Sequence, residues 1–178
     1  ARGPRSFVDV CCGPGYHCIE YARRGALSFA LDLSPMMIAY ARGKAARAGV
    51  AVEFIQGDMR DFSLPEPVDL AFCPMASFPY LLTNDDIISH LRSVARNLVP
   101  DGLYVIEAAH PRDVFGTGHS TRKDWEAKRG DTVVQIHWGS DNEAFDPLTQ
   151  IGVGRVEIEI RRNGHSEKTS FSDPNRYL

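Results

Sequence analysis

Residues 6–22 read as strand, glycine turn and helix in direct succession. Phe7, Val8 and Val10 form a short apolar run, Gly13, Pro14 and Gly15 make a tight loop, and Ile19, Tyr21 and Ala22 open a helix that ends near Gly25. That order is the first half of a βαβ nucleotide-binding unit. Glycines let backbone approach a ligand closely, and the N-terminus of the helix offers unpaired N–H groups. A second apolar run, residues 27–31, ends in Asp32. A carboxylate about 20 residues past such a loop suits the two hydroxyls of a ribose.

Later segments extend the pattern. Ser34 and Pro35 start a helix as N-cap and first-turn proline, Met37, Ile38, Tyr40 and Ala41 give it an apolar face, and Gly49 closes it. Residues 52–55 and 68–72 read as strands. Thr83 and Asp86 have the spacing of a capping box ahead of Ile87, Ile88, Leu91, Val94, Ala95 and Leu98, which recur with helical period. Pro100, Asp101 and Gly102 read as a turn before a fifth strand over residues 103–108. Alternating strands and helices imply a mainly parallel sheet covered on both faces.

With these residues in place, the chain resembles the class I S-adenosylmethionine-dependent methyltransferases, of the type acting on small molecules. Residues 9–15 resemble the family's acidic-x-Gly-x-Gly-x-Gly motif, with Cys11 where the first glycine usually stands. Residues 31–42, 56–61 and 100–107 resemble its second motif, its third motif and the turn before strand five. The expected fold is a doubly wound α/β sheet of Rossmann-like type, S-adenosylmethionine is the expected cofactor, and S-adenosylhomocysteine is the product. The resemblance also implies elements before Phe7 and after Leu178, so terminal elements are expected to be missing.

The resemblance implies roles as well. Asp9 organises the glycine loop near the methionine part of the cofactor, and Cys11, Gly13, Pro14 and Gly15 contact it. Asp32 takes the ribose, while Leu33 and Met37 flank the adenine. Asp58 accepts the adenine amine and Met59 offers its backbone N–H to a ring nitrogen. Pro74 and Met75 line the sulfonium side, and Ser77, Phe78 and Tyr80 face the substrate. His110, after strand five, is the candidate general base. His137 and Trp138 border the substrate. Plainer readings stay open: Asp9 as a loop cap, Asp58 as a turn acid, Met37 as core, His110 as a surface or structural histidine, His137 as a sheet residue.

After Pro111 the texture changes. Residues 114–130 read as a polar, mobile loop with Trp125 as an apolar anchor. Residues 132–138 and 153–160 alternate as half-exposed antiparallel strands, and Asn163-Gly164 marks a hairpin into a strand over residues 166–171. The expected organisation is therefore a cofactor-binding core over residues 1–111, followed at 112–178 by a loop and an antiparallel β insertion facing substrate.

Composition excludes several classes. The 178 residues are 43% hydrophobic and 24% charged, an ordinary balance for one domain with a real core. No apolar run reaches the ~18 residues of a membrane span. A net charge of −3 without a long basic tract argues against tight nucleic-acid binding. The four cysteines, Cys11, Cys12, Cys18 and Cys73, make a poor disulfide framework, so reduced thiols and a cytoplasmic location are expected, and their spacing matches no common zinc pattern.

The expected activity is methyl transfer to a small-molecule acceptor, with nitrogen favoured over oxygen because the insertion resembles that of N-methyltransferases acting on amines or amino sugars. A homodimer is compatible with this reading. Two alternatives stand beside it. An NAD(P)-dependent oxidoreductase would need a third fingerprint glycine where Cys18 lies. A non-catalytic cofactor-binding domain would keep the fold and lose the chemistry.

Overall fold

In the computed structural model, which describes residues 3–109, 122–139 and 144–177, the apolar runs become strands. The chain divides into two units, Ala1–Ala108 and Ala109–Leu178.

In the first unit, β1 (Ser6–Val10), β2 (Leu27–Asp32), β3 (Glu53–Gln56), β4 (Val68–Cys73) and β5 (Leu98–Ile106) form a parallel sheet in the order β3-β2-β1-β4-β5. Side chains alternate across it with the period of an extended strand. Val8, Val10, Phe29, Leu31, Val68, Ala71 and Cys73 join Phe62 and Val94 on one face. Phe7 and Ala30 join Cys18, Ile19, Ile38 and Ala45 on the other. The helices follow from this: α1 (Tyr16–Arg23) and α2 (Pro35–Ala48) supply one face, α3 (Asn84–Arg96) the other. Burying both faces is what parallel sheets require.

The predicted helix signals hold. The Ser34 hydroxyl accepts the Met37 N–H at 3.3 Å, and Gly49 closes α2 at φ 66°. Thr83 and Asp86 form a reciprocal capping box. One boundary is corrected. The expected turn at residues 100–102 lies inside β5, which begins at Leu98, so Leu98 is a strand residue rather than the end of the helix. The register shifts opposite β4 between Val68 and Leu70, and Asp101 takes φ 64° there. A Cβ on Gly102 would sit 2.9 Å from the Val99 carbonyl oxygen. The Pro-Asp-Gly signal therefore marks a bulge that keeps the strand paired on both sides of it. Met37 is also corrected: it is 41% exposed, so helical spacing does not place it in the core.

The second unit is an antiparallel sheet in the order β10-β9-β7-β6, formed by β6 (Lys123–Arg129), β7 (Thr132–Trp138), β9 (Ile151–Arg162) and β10 (His165–Arg176), with β8 (Ala144–Asp146) also paired to β9. Gly130 and Asn163-Gly164, all at positive φ, turn its hairpins. Trp125, Ile136 and Ile158 share one face, and Glu126, Gln135 and Glu159 the other. The expectation of a loop through residue 130 is overturned: residues 123–129 pair along their length with β7. The alternation of Trp125 and Ala127 with charged residues is a strand signal diluted by charge. Residues 114–121 of that expected loop lie outside the described residues.

Candidate functional site

The C-terminal ends of β1, β2 and β3 open into a cleft of about 320 Å³ lined by Cys11, Leu31, Asp32, Leu33, Gly57, Asp58, Met59, Arg60, Tyr80 and Leu81. Strand order reverses between β1 and β4, and open α/β sheets bind ligands beyond the strand ends at such a reversal. Asp32 ends β2 at the wall of the cleft. Its Oδ2 accepts the Gly13 N–H at 2.8 Å and its Oδ1 the Ser34 N–H at 2.9 Å. A carboxylate has about four lone-pair sites, so roughly one on each oxygen is left for a vicinal diol.

The glycine loop is shaped by close approach. Gly15 takes φ 73°, and a Cβ there would meet the Ala41 Cβ at 2.9 Å and the Cys18 Sγ at 3.3 Å. Only glycine allows α1 to start this close to α2. Gly13, at φ 49°, has open space where a Cβ would lie. Cys11 takes φ 61° without being glycine, the same backbone state that the usual residue would adopt freely. Cys18, at the third dinucleotide-fingerprint position, is fully buried, and its thiol donates to the Gly15 carbonyl.

Asp9 lies beneath this loop with no exposure. Its Oδ2 accepts the Cys18 N–H at 3.2 Å, which ties β1 to the first turn of α1, whereas Oδ1 is buried without a partner. Burial pushes its carboxyl up to about 7, the Cys18 amide opposes this, and the Asp32 carboxylate adds to it. A glycine with open space, a diol-sized pair of acceptor sites and a buried carboxyl oxygen lacking a donor fit a ribose-bearing ligand that also carries a hydrogen-bond donor.

The opposite wall is held by α3. Ser93 and Asn97 bind the backbone of Phe62 and Leu64, the Ser89 hydroxyl donates to the Arg60 carbonyl at 2.8 Å, and His90 meets the Met59 carbonyl at 2.8 Å. Arg60 lies between two acids, 2.6 Å from Asp58 and 3.2 Å from Asp86. Its backbone N–H, Nε–H and Nη2–H place three donors on the Asp58 carboxylate, which sits below the ordinary range because of the Arg60 guanidinium. A donor that reaches Asp58 from the cleft must therefore share it with Arg60, which also holds Asp86.

Of the residues predicted for a site, the cleft gathers Cys11, Asp32, Leu33, Asp58 and Met59. It also takes Tyr80, expected beside substrate. Asp9, Gly13 and Gly15 shape the loop from behind. Met37, Pro74, Met75 and Ser77 do not line the cleft. Met75 takes φ 54°, is 77% exposed, and donates its N–H to Glu107. His137 belongs to the second unit, where its Nδ1 lies 2.7 Å from Asp124 beside a separate cavity of about 280 Å³. His110 lies outside the described residues. No cluster suited to a metal occurs among the described residues, and none of their helices is long and apolar enough to cross a membrane. Arg60, Leu81 and the α3 residues were not anticipated. The one signal for the last was polar Ser89, His90, Ser93 and Asn97 recurring at helical spacing.

Residues 7–102 match a family described as a methyltransferase domain. The chain is 37% identical over 117 residues to a dTDP-4-amino-2,3,4,6-tetradeoxy-D-glucose N,N-dimethyltransferase from Saccharopolyspora spinosa, covering 66% of this chain and 45% of that protein. It is 30% identical over 131 residues to a dTDP-3-amino-3,4,6-trideoxy-alpha-D-glucopyranose N,N-dimethyltransferase from Streptomyces venezuelae, covering 74% and 53%. The chain thus spans about half the length of these relatives. In fold it resembles a sugar N-methyltransferase from Streptoalloteichus, with TM-score 0.81 and 22% identity over 99% of this chain and 67% of that one.

Proposed function

Because the chain belongs to the S-adenosylmethionine-dependent methyltransferase family, we propose that it transfers a methyl group from S-adenosylmethionine to the amino group of a nucleotide-linked deoxy sugar. What chiefly supports this acceptor class is the likeness to two dTDP-amino-sugar N,N-dimethyltransferases. The dehydrogenase alternative is not favoured, since Cys18 fills the third fingerprint position as a packing residue.

In this reading the cleft holds the adenosine part. Asp32 presents its spare lone pairs to the ribose hydroxyls, Leu33 and Leu81 contribute apolar walls to the adenine, and the Met59 N–H and the Asp58 carboxylate meet its polar edge. Gly13 leaves room for close approach of the chain carrying the sulfur. When bound, the cofactor supplies a methyl group already made electrophilic by the sulfonium. The protein's work is then mainly alignment of the acceptor with the C–S bond. An ammonium acceptor must first lose a proton. His110, which follows β5 in sequence, is the proposed base, because histidine is the side chain whose unperturbed pKa, ~6.5, lies closest to neutral pH.

The test is product analysis by mass spectrometry after incubation with S-adenosylmethionine and separate acceptors. These are dTDP-linked 3-amino and 4-amino deoxy sugars, their hydroxyl counterparts, and glycine. Methylation confined to the amino sugars supports the reading. Methylation of the hydroxyl sugars or of glycine alone would overturn the acceptor class. Cofactor binding with no transfer to any acceptor would favour a non-catalytic domain.

A further inference from the structure

His90 is fully buried on α3, and both of its ring nitrogens are engaged. Nδ1 lies 2.8 Å from the Met59 carbonyl oxygen, and Nε2 lies 2.6 Å from the Tyr104 hydroxyl on β5. A carbonyl can only accept, so the proton sits on Nδ1. Nε2 is then a lone pair, and the Tyr104 hydroxyl donates to it. Burial holds the His90 pKa below its usual value, which keeps the ring neutral, and holds the Tyr104 phenol up, which keeps its proton on oxygen. Phe78 and Tyr104 pack against the ring with centroids 5.6 and 5.5 Å away, which confines its rotamer. Met59 is gripped a second time: the Cys11 thiol lies 3.5 Å from its Sδ. The Met59 amide itself has no hydrogen-bond partner among the described residues.

We propose that His90 is a positioning residue for adenine recognition: by holding the Met59 carbonyl through Nδ1–H, with Tyr104 fixing the tautomer, it aims the Met59 amide N–H at the adenine ring. The inference rests on reading the cleft as the adenosine site. The Asp58 carboxylate is shared with three N–H donors of Arg60, so recognition of the base falls more heavily on this amide. The Met59 N–H shares its peptide plane with the Asp58 carbonyl, which accepts the Asp61 N–H at 3.1 Å, whereas the Met59 carbonyl held by His90 belongs to the next plane; the two contacts clamp the Met59 Cα from both sides and together set the direction of its N–H. Loss of the His90 contact lets that segment relax. The apolar walls and Asp32 remain, so binding persists while discrimination between bases falls.

The experiment is calorimetric titration of the full chain with S-adenosylhomocysteine and with an analogue whose adenine carries carbon in place of N1. The wild type is expected to prefer the natural compound by about tenfold, the worth of one good hydrogen bond. His90→Asn places an amide N–H where Nδ1 lies and is expected to keep most of that preference. His90→Gln places its amide where Nε2 lies, and should lower the preference to within about twofold while still binding both compounds. A role in folding alone would lower stability in both variants without separating them in preference. Equal preference in the Gln and Asn variants would overturn the inference. If the Gln variant does not fold, His90→Leu decides, because it fills the same space and offers the Met59 carbonyl no donor. A preference unchanged in that variant would equally overturn it. Asp32→Ala is the control for the site: if it leaves the affinity for S-adenosylhomocysteine intact, the adenosine reading fails. If Asp32→Ala loses affinity and His90→Gln retains full preference, only the role of His90 fails.

Discussion

Replacing Asp9 by Asn should flatten the pH dependence of stability between about pH 4 and pH 7. Asp9 has no exposure, one oxygen on the Cys18 amide and one without a partner. Its carboxyl ionises near 7 in the fold against 3.8 in the unfolded chain. Across that interval the folded protein keeps a proton that the unfolded chain has lost. Stability from this group is therefore complete below the unfolded value, is lost as pH rises, and levels off above the folded value. At about 1.4 kcal/mol for each pH unit, the loss has a ceiling of about 4 kcal/mol. Asn mimics the protonated form: its oxygen can accept the Cys18 N–H and its charge never changes. His90, buried and neutral, contributes with the opposite sign near its own titration, and comparing variant with wild type removes it. The assay is urea unfolding at about pH 5 and pH 8 for both proteins. It should be followed by far-ultraviolet circular dichroism, because the helices among the described residues belong to the first unit, whereas Trp125 and Trp138 would report on the second. Wild type should lose more stability than Asp9→Asn between the two conditions. Parallel pH dependence in the two proteins would refute the account of Asp9.

Asp32→Ala should weaken S-adenosylhomocysteine binding about tenfold to a hundredfold by calorimetry, since a charged acceptor is lost. Gly15→Ala should cost about 2–4 kcal/mol in chemical denaturation, because the new methyl meets Ala41 at 2.9 Å on a backbone at positive φ. His110→Ala should lower turnover on the true acceptor by about 100-fold to 10,000-fold and leave S-adenosylhomocysteine affinity nearly intact. Loss of cofactor affinity or of folding instead would assign His110 to the scaffold.

What was legible in the sequence was local. Ser34 with Pro35, Thr83 with Asp86, and Asn163-Gly164 act within a few residues of themselves, and each forms the predicted cap or turn. The glycine loop and Asp32 were legible because a close approach and a carboxylate at a strand end leave few residue choices. The misses were non-local. β6 depends on pairing with β7, which the charges at Lys123, Asp124 and Lys128 disguise. The Pro-Asp-Gly stretch has the same composition as a turn or a bulge, and only the register against β4 decides between them. His90 reaches Met59 across 31 residues and Tyr104 across 14. Nothing in the helical pattern around it names those partners. Arg60 falls within the third motif, but nothing local in the sequence shows that its charge sits between Asp58 and Asp86 and so decides what Asp58 can accept.

A cleft beyond β1, β2 and β3 that is built for S-adenosylmethionine should take up the demethylated product and reject a nicotinamide dinucleotide. The deciding measurement is calorimetric titration of the wild-type protein with S-adenosylhomocysteine and, separately, with NAD. Saturable one-to-one binding of S-adenosylhomocysteine and no measurable heat with NAD are expected. Saturable binding of NAD, or no binding of S-adenosylhomocysteine by the folded protein, would contradict that assignment of the cleft.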